Sequence, residues 1–257
     1  MYKGFVLNNK NNELGNFLSD IYVNSDANIM SYKNILDEIT SNIELFLSAD
    51  KIKNEYFRPI KADVFISHSH DDKKLAHKLA TWLSDYGISS FIDSDIWGHY
   101  ADIAKNIAAE NFYNQHDKIR TYIDISHLLN ISLMDMIDRC PYFFFIKSSN
   151  SLDSKNITYS PWIYSELNIT RYIQKSSQRI GFSRESAMQH LKERAYVPIG
   201  FTANTSHLIP LNVDALEVIE KAFDNVNLLN NQNSSIDSCI PDIFKSFLDE
   251  FVWPNYE

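Results

Sequence analysis

Glycine is scarce in this chain: six among 257 residues, Gly4, Gly15, Gly87, Gly98, Gly181 and Gly200. None are spaced as G-x-x-x-x-G-K-[ST] or G-x-G-x-x-G. That excludes the glycine-rich cradles of those two nucleotide-binding types, so a nucleotide bound here is held by other means. Cysteine is scarcer still. Cys140 and Cys239 form neither a C-x-x-C nor a disulfide framework, and are expected as small apolar side chains in a reducing cytosol. Basic residues are outnumbered, 24 Lys and Arg against 33 Asp and Glu, which leaves no positive face for nucleic acid. No run approaches the roughly 18 consecutive apolar residues that span a bilayer. The stretch from Met1 to Leu7 lacks the hydrophobic region and small-residue cleavage site of a signal peptide. These absences predict a cytoplasmic protein with neither nucleic acid nor membrane as a partner.

What is present is the patterning of an α/β domain. Residues 1–60 read as an N-terminal helical extension, in which Ile29, Met30, Tyr32, Ile35, Leu36, Ile39, Ile43, Phe46 and Leu47 recur at helical spacing after a possible cap at Asn24-Ser25-Asp26. From residue 61 to 257 the pattern is that of one domain. Asp63–Ser67 is a short apolar run typical of a buried parallel strand. A helix follows from Asp71 or Asp72 through Leu75, Ala76, Leu79, Trp82 and Leu83 to Gly87, and a second strand at Ile88–Asp93 completes a βαβ unit. A loop at Ser94–Tyr100, a helical pattern through Ile103, Ile107 and Ala108, and an irregular insertion around 110–125 come next. A helix through Leu128, Leu129, Leu133, Met134 and Ile137 then leads to the most hydrophobic run, Tyr142–Ser149, expected as a central strand. A helix at Pro161–Gln174, apolar runs at Tyr196–Phe201 and Leu208–Val213, an Asn/Ser-rich loop at 225–238 and a last helix at Ile240–Phe251 complete the chain. The expected fold is a flavodoxin-like, doubly wound parallel sheet of about five strands.

Two constellations carry chemistry. The first is His68-Ser69-His70-Asp71-Asp72-Lys73, at the end of the first strand of that unit. It resembles the His-x-His-x-Asp-His ligand run of dizinc hydrolases, but Lys73 stands where the last histidine belongs, and a cation there repels a metal centre; no metal is expected. In an open α/β sheet the carboxyl ends of the strands face the ligand crevice. That places Ser67, His68 and Ser69 toward it, while Ser69, Asp71 and Asp72 are also suited to cap the following helix. Of the two histidines, His68 is the one expected to reach a ligand. The second constellation is YSPWIYSELNIT. Ser160-Pro161 marks a helix start, and Trp162 and Glu166, four apart, share one face. A carboxylate beside an indole that excludes water has a raised pKa in principle. Spacing alone favours the other reading, a solvated Glu166 paired with Arg171 or another basic neighbour and a Trp162 in the core.

The stretches DVFISHSHDDKKLAHKLATWLSDYGISSFID and YFFFIKSSNSL…YSPWIYSELNIT, in that order, resemble the two signature blocks of Toll/interleukin-1 receptor (TIR) domains. The first matches the strand-to-helix junction and a second strand ending in Asp. The second matches a hydrophobic strand, a variable loop and S-x-W-x-x-x-E-L. Together they cover most of residues 62–175. The chain departs from the pattern in His68-Ser69-His70, in the sequence after Asp93, where Gly98 alone stands for the usual loop signature, and in the insertion.

The resemblance implies that Glu166 is the catalytic residue of an NAD+-cleaving enzyme and that Trp162 borders the nicotinamide-ribose pocket. By the same resemblance Phe65, Ser67, His68, Ser69 and Asp93 line the substrate side, and Trp97 belongs to a loop that covers the site or meets a neighbouring subunit. NAD+ is then a substrate and no cofactor is implied. Stand-alone bacterial TIR proteins of this size resemble the signalling-nucleotide synthases of antiviral defence systems such as Thoeris. That implies homo-oligomers through TIR–TIR contacts and a downstream effector reached through the product. A non-catalytic TIR scaffold and a nucleoside deoxyribosyltransferase-like enzyme are the alternatives.

Overall fold

The computed structural model describes residues 3–23, 49–57, 60–96, 115–177, 199–230 and 240–250. The helix expected at Ile29–Leu47 with its cap, Trp97, the pattern at Ile103–Ala108 and Cys239 lie outside the described residues.

One sheet holds five parallel strands: β1 (Lys3–Asn8), β2 (Val64–Ser67), β3 (Ser90–Ile92), β4 (Tyr142–Lys147) and β7 (Ile209–Leu211). Their order across the sheet is β3-β2-β4-β1-β7. A separate antiparallel pair is formed by β5 (Ile157–Thr158) and β6 (Phe201–Thr202). The helices are α1 (Glu13–Phe17), α2 (Ala49–Tyr56), α3 (Lys73–Asp85), α4 (Asp93–Ile96), α5 (Gln115–Arg139), α6 (Pro161–Ser177), α7 (Val213–Asn230) and α8 (Ile240–Glu250).

Both faces of the sheet are covered, which is why its strands read as continuous apolar runs. Side chains alternate between the faces along each strand. Val64, Ile66 and Phe144 meet Leu79 and Trp82 of α3, Leu216 of α7 and Phe244 of α8. Phe65, Phe143 and Phe145 meet Leu133 and Ile137 of α5 and Ile163 and Leu167 of α6. The βαβ unit is as expected, with α3 stopped by Gly87 at a φ of 71°. A side chain there would also stand 2.8 Å from Cγ of Pro241 at the start of α8. Cys140 is buried in the core, and burial pushes its thiol up to about 12.

Four expectations are corrected. Residues 1–60 are not an extension, because β1 lies inside the sheet. It pairs with β4 from Lys3↔Tyr142 to Asn8↔Lys147 and with β7 from Phe5↔Ile209 to Leu7↔Leu211. Of the run Tyr196–Phe201, the described end does not join this sheet: Phe201 starts the small pair with β5, and the fourth place in the sheet is taken by β1. The supposed irregular insertion is helical from Gln115 onward. Thr121, Ile125 and Leu129 are buried at four-residue intervals, a helical stripe that its polar neighbours hide. Finally, α7 runs to Asn230, so the Asn-rich loop begins later than residue 225.

The N-terminal strand is tied in at both ends. Lys3, almost fully buried, donates through Nζ to the carbonyl oxygens of Leu248 and Asp249, a cation at the negative end of α8. The backbone N–H of Asn9 donates to the Lys147 carbonyl at 2.9 Å. Phe5 is fully buried and meets Phe144 edge to face at 5.5 Å between ring centroids. Phe5→Ala is therefore expected to lower stability by about 3–5 kcal/mol, read from the shift of a urea unfolding midpoint. A shift near zero would return residues 1–60 to the status of a detachable extension.

Candidate functional site

The site lies beyond the carboxyl ends of β2 and β3, beside the point where the strand order reverses between β2 and β4, the region in which open α/β sheets bind ligands. A cleft of about 200 Å³ opens there between these strand ends, α5 and α6. Its polar wall holds His68, Asp93, Ser94 and Glu166, Leu129 and Leu133 of α5 face it with apolar surface, and Trp162 and Ser160 border it.

Strand alternation explains half of the arrangement. In β2, Phe65 points into the core on the side of α5 and α6, so Ser67, two residues on, points the same way. On α6, Ile163, Glu166, Leu167 and Thr170 are all buried, the i, i+3, i+4, i+7 stripe of a helix laid on a sheet. Glu166 thus occupies a core position, where a leucine would serve stability better. Its carboxyl meets the one polar side chain that β2 sends toward it: the Ser67 hydroxyl donates to Oε2 at 2.5 Å. Ser160 caps α6, accepting from the N–H of Ile163 at 3.3 Å. Trp162 then falls in the first turn, half-buried against the same core.

Burial, with the nearby charge of Asp93, drives the Glu166 carboxyl well above the ordinary range, and the Ser67 hydrogen bond partly opposes this. Burial likewise raises Asp93, with His68 the main opposing charge. His68 is pushed down by burial, opposed by Asp93 and by the nearby Ile66 carbonyl. Asp95 is the contrast. Burial works against its charge, yet hydrogen bonds from His77 and Lys73 hold it below the ordinary value. The cleft therefore holds two carboxyls held toward neutrality within one field, a pattern concentrated at functional sites.

The expected residues separate as follows. His68, Asp93, Trp162 and Glu166 come together around the cleft, and Ser67 anchors Glu166 from behind. Phe65 is a correction. It is fully buried between Phe91 and Phe143, at centroid distances of 5.2 and 5.6 Å, because an interior strand residue facing two aromatic neighbours packs rather than binds. Ser69 stands outside the cleft lining and acts through its backbone, its carbonyl accepting from the Asp72 N–H at 2.8 Å. Neither Ser69 nor Asp72 caps a helix with its side chain. Asp72 instead accepts from the Ser148 hydroxyl and from the Asn150 amide, the latter at 2.8 Å, fastening the start of α3 to the loop after β4. His70 is exposed and also lines the mouth of the cleft. Trp97 lies outside the described residues.

Ser94 and the α5 leucines were absent from the expected set. Ser94 carries a signal: it lies two residues past the end of β3, at the carboxyl end of a parallel strand. Leu129 and Leu133 carry none beyond an apolar helix face. No group of His, Cys, Asp and Glu suited to a metal ion exists among the described residues. No family model, curated protein or solved structure matches the chain.

Because the folded pKa of Glu166 lies above its unfolded value, burial favours the protonated carboxyl. That stability is fully present below the unfolded pKa and is lost as pH rises through the folded one. Glu166→Gln keeps the shape and cannot ionise. Its melting temperature relative to wild type is expected to climb with pH from acid to alkaline conditions. A difference independent of pH in thermal melts would contradict the burial of this charge.

Proposed function

We propose that the chain is a TIR-type NAD+-cleaving enzyme in which Glu166 is the catalytic residue. One observation carries this reading above the rest: the Glu166 carboxyl, buried in a cleft beside the sheet's switch point, is held by Ser67 near Trp162. The parallel five-stranded sheet and the two sequence blocks with their TIR resemblance support the same assignment.

The chemistry asks for little more. Nicotinamide is already a cation in NAD+, so it leaves without a proton donor, and the barrier lies in positive charge developing at the anomeric carbon. A carboxylate close to the ribose stabilises that charge, most strongly where water is excluded. Ser67 fixes the carboxyl and favours its ionised form, and the indole of Trp162 supplies a flat apolar wall suited to a pyridine ring. About 200 Å³ suits nicotinamide and its ribose, with the adenosine half directed toward the mouth at His70. The product is a signalling nucleotide derived from ADP-ribose, and the setting is a cytoplasmic antiviral defence system with oligomers formed through TIR–TIR contacts and a separate effector that reads the product. Among the described residues no helix is long and apolar enough to cross a membrane.

The small volume also favours a second reading within the same bond class, nucleobase exchange on deoxynucleosides. Incubating the protein with NAD+, alone and with lysate of phage-infected cells, and following nicotinamide release tests the first reading. Glu166→Gln is expected to reduce release by about 10²-fold or more, the scale of losing one preorganised electrostatic group. Release that survives this change would remove Glu166 from the mechanism. Base exchange on deoxynucleosides without NAD+ cleavage would select the second reading, and no reaction at all would leave a TIR scaffold.

A further inference from the structure

Facing Glu166 across the cleft is a second constellation that the cleavage step does not use. The His68 ring, with only 1 % of its side chain exposed, has two differently furnished nitrogens. Nε2 lies 3.1 Å from the Ser94 hydroxyl. Nδ1 lies 3.9 Å from Oδ1 of Asp93, with no formed hydrogen bond among the described residues. The carboxyl nearest Nδ1 is an acceptor, so it favours the ring proton there, and the Nε2 lone pair faces Ser94 and the cleft. A carboxylate, an imidazole and a hydroxyl in this order form the arrangement that activates an O–H group.

We propose that His68 is the general base of the acceptor step, taking through Nε2 the proton of the water or hydroxyl that attacks the anomeric carbon, with Asp93 as the residue that positions its ring. This deepens the N-glycosidic reading of the site and rests on it. The bond from C1′ to nicotinamide breaks, and its electron pair goes to the ring nitrogen, neutralising the pyridinium. The acceptor oxygen forms the new C1′–O bond, its proton passes to Nε2, and it leaves from there to solvent. Ser94 is the hydroxyl that occupies the acceptor's hydrogen-bonding place on Nε2 when the cleft holds no ligand. The division of labour is then clear: Glu166 serves bond cleavage and His68 serves the choice and activation of what attacks.

The groups that set the protonation of His68 come from several elements. Asp93 and Asp95 on α4 and Asp72 before α3 favour its cationic form, but Asp95 is already satisfied by Lys73 and His77. His70 stands at the mouth of the cleft, and Glu166 stands on α6. Burial outweighs the acidic neighbours, so the imidazole is neutral and ready to accept a proton at neutral pH.

The test separates acceptors that carry a proton from those that do not. Full-length protein is given NAD+ alone, or NAD+ with excess 3-acetylpyridine, whose ring nitrogen attacks without losing a proton. His68→Gln is expected to lower transfer to water or hydroxyl by about 10²-fold, the lower range for a lost general base, while pyridine exchange changes only a few-fold. Glu166→Gln is expected to lose both. In wild type the ratio of hydroxyl transfer to pyridine exchange should rise with pH through the ionisation of His68. In Asp93→Asn that rise should move to lower pH, since the charge of Asp93 favours the cation. Equal loss of both reactions in His68→Gln would assign His68 a structural role and overturn the proposal, as would loss of neither. Absence of both reactions in wild type would overturn the N-glycosidic reading itself, and this proposal with it.

Discussion

A carboxyl group sits on the buried stripe of α6, at a position where the helix and sheet would gain from a hydrocarbon. Much of the cleft follows from accommodating Glu166 there. An unpaired buried carboxylate is costly, and one donor, the Ser67 hydroxyl, meets it only because strand alternation turns Ser67 toward α6. The remaining neighbours make ionisation harder, since Asp93 adds a second negative group to the same enclosed space. Such a site sacrifices stability for a field that, in the proposed mechanism, is aimed at developing positive charge, and the large aromatic core around β2 and β4 is what tolerates that sacrifice.

The two ends of the cleft differ in chemical character. On one side a carboxyl is fixed by a hydroxyl beside an indole. On the other an imidazole is set between a carboxyl and a second hydroxyl. They are delivered by different elements, α6 for the first and the ends of β2 and β3 for the second. This separation gives the fold a means to change one function without rebuilding the other. In the proposed mechanism, substitutions along Trp162–Glu166 act on the group that leaves, and substitutions along His68, Asp93 and Ser94 act on the group that arrives.

What the sequence disclosed, and what it hid, follow from the range of each signal. Val64–Ser67, Tyr142–Lys147 and α6 were legible because a strand buried on both faces and a capped amphipathic helix write themselves into adjacent residues. Trp162 and Glu166 were legible as one face of one helix. The role of Ser67 was only half visible: alternation along β2 gives its direction, but its partner lies about a hundred residues away. The burial of Phe65 was not legible, because the sequence does not mark where along β2 the sheet ends, and only residues at or past that end reach the crevice. The position of β1 was hidden altogether. Phe5-Val6-Leu7 is a short apolar run with polar neighbours, and nothing local says that its partners are β4 and β7 rather than β2. The start of α5 was hidden by charge, its buried face being carried by Thr121 and Ile125 among polar residues.

The place of β1 has a consequence for how the protein comes into being. β1 precedes the other four strands of the sheet in chain order, yet it lies between two that are made much later, with β4 about 140 residues behind it and β7 farther still. Pairings this remote close slowly, because the chain entropy is lost before the contacts are gained. Until then Phe5, Val6 and Leu7 form an unpaired apolar edge, a segment open to wrong partners. The β2–α3–β3 unit can form early from local contacts alone, and with it the His68 and Asp93 side of the cleft. The sheet itself is completed only when β7 emerges, so the cleft acquires its full frame late in synthesis.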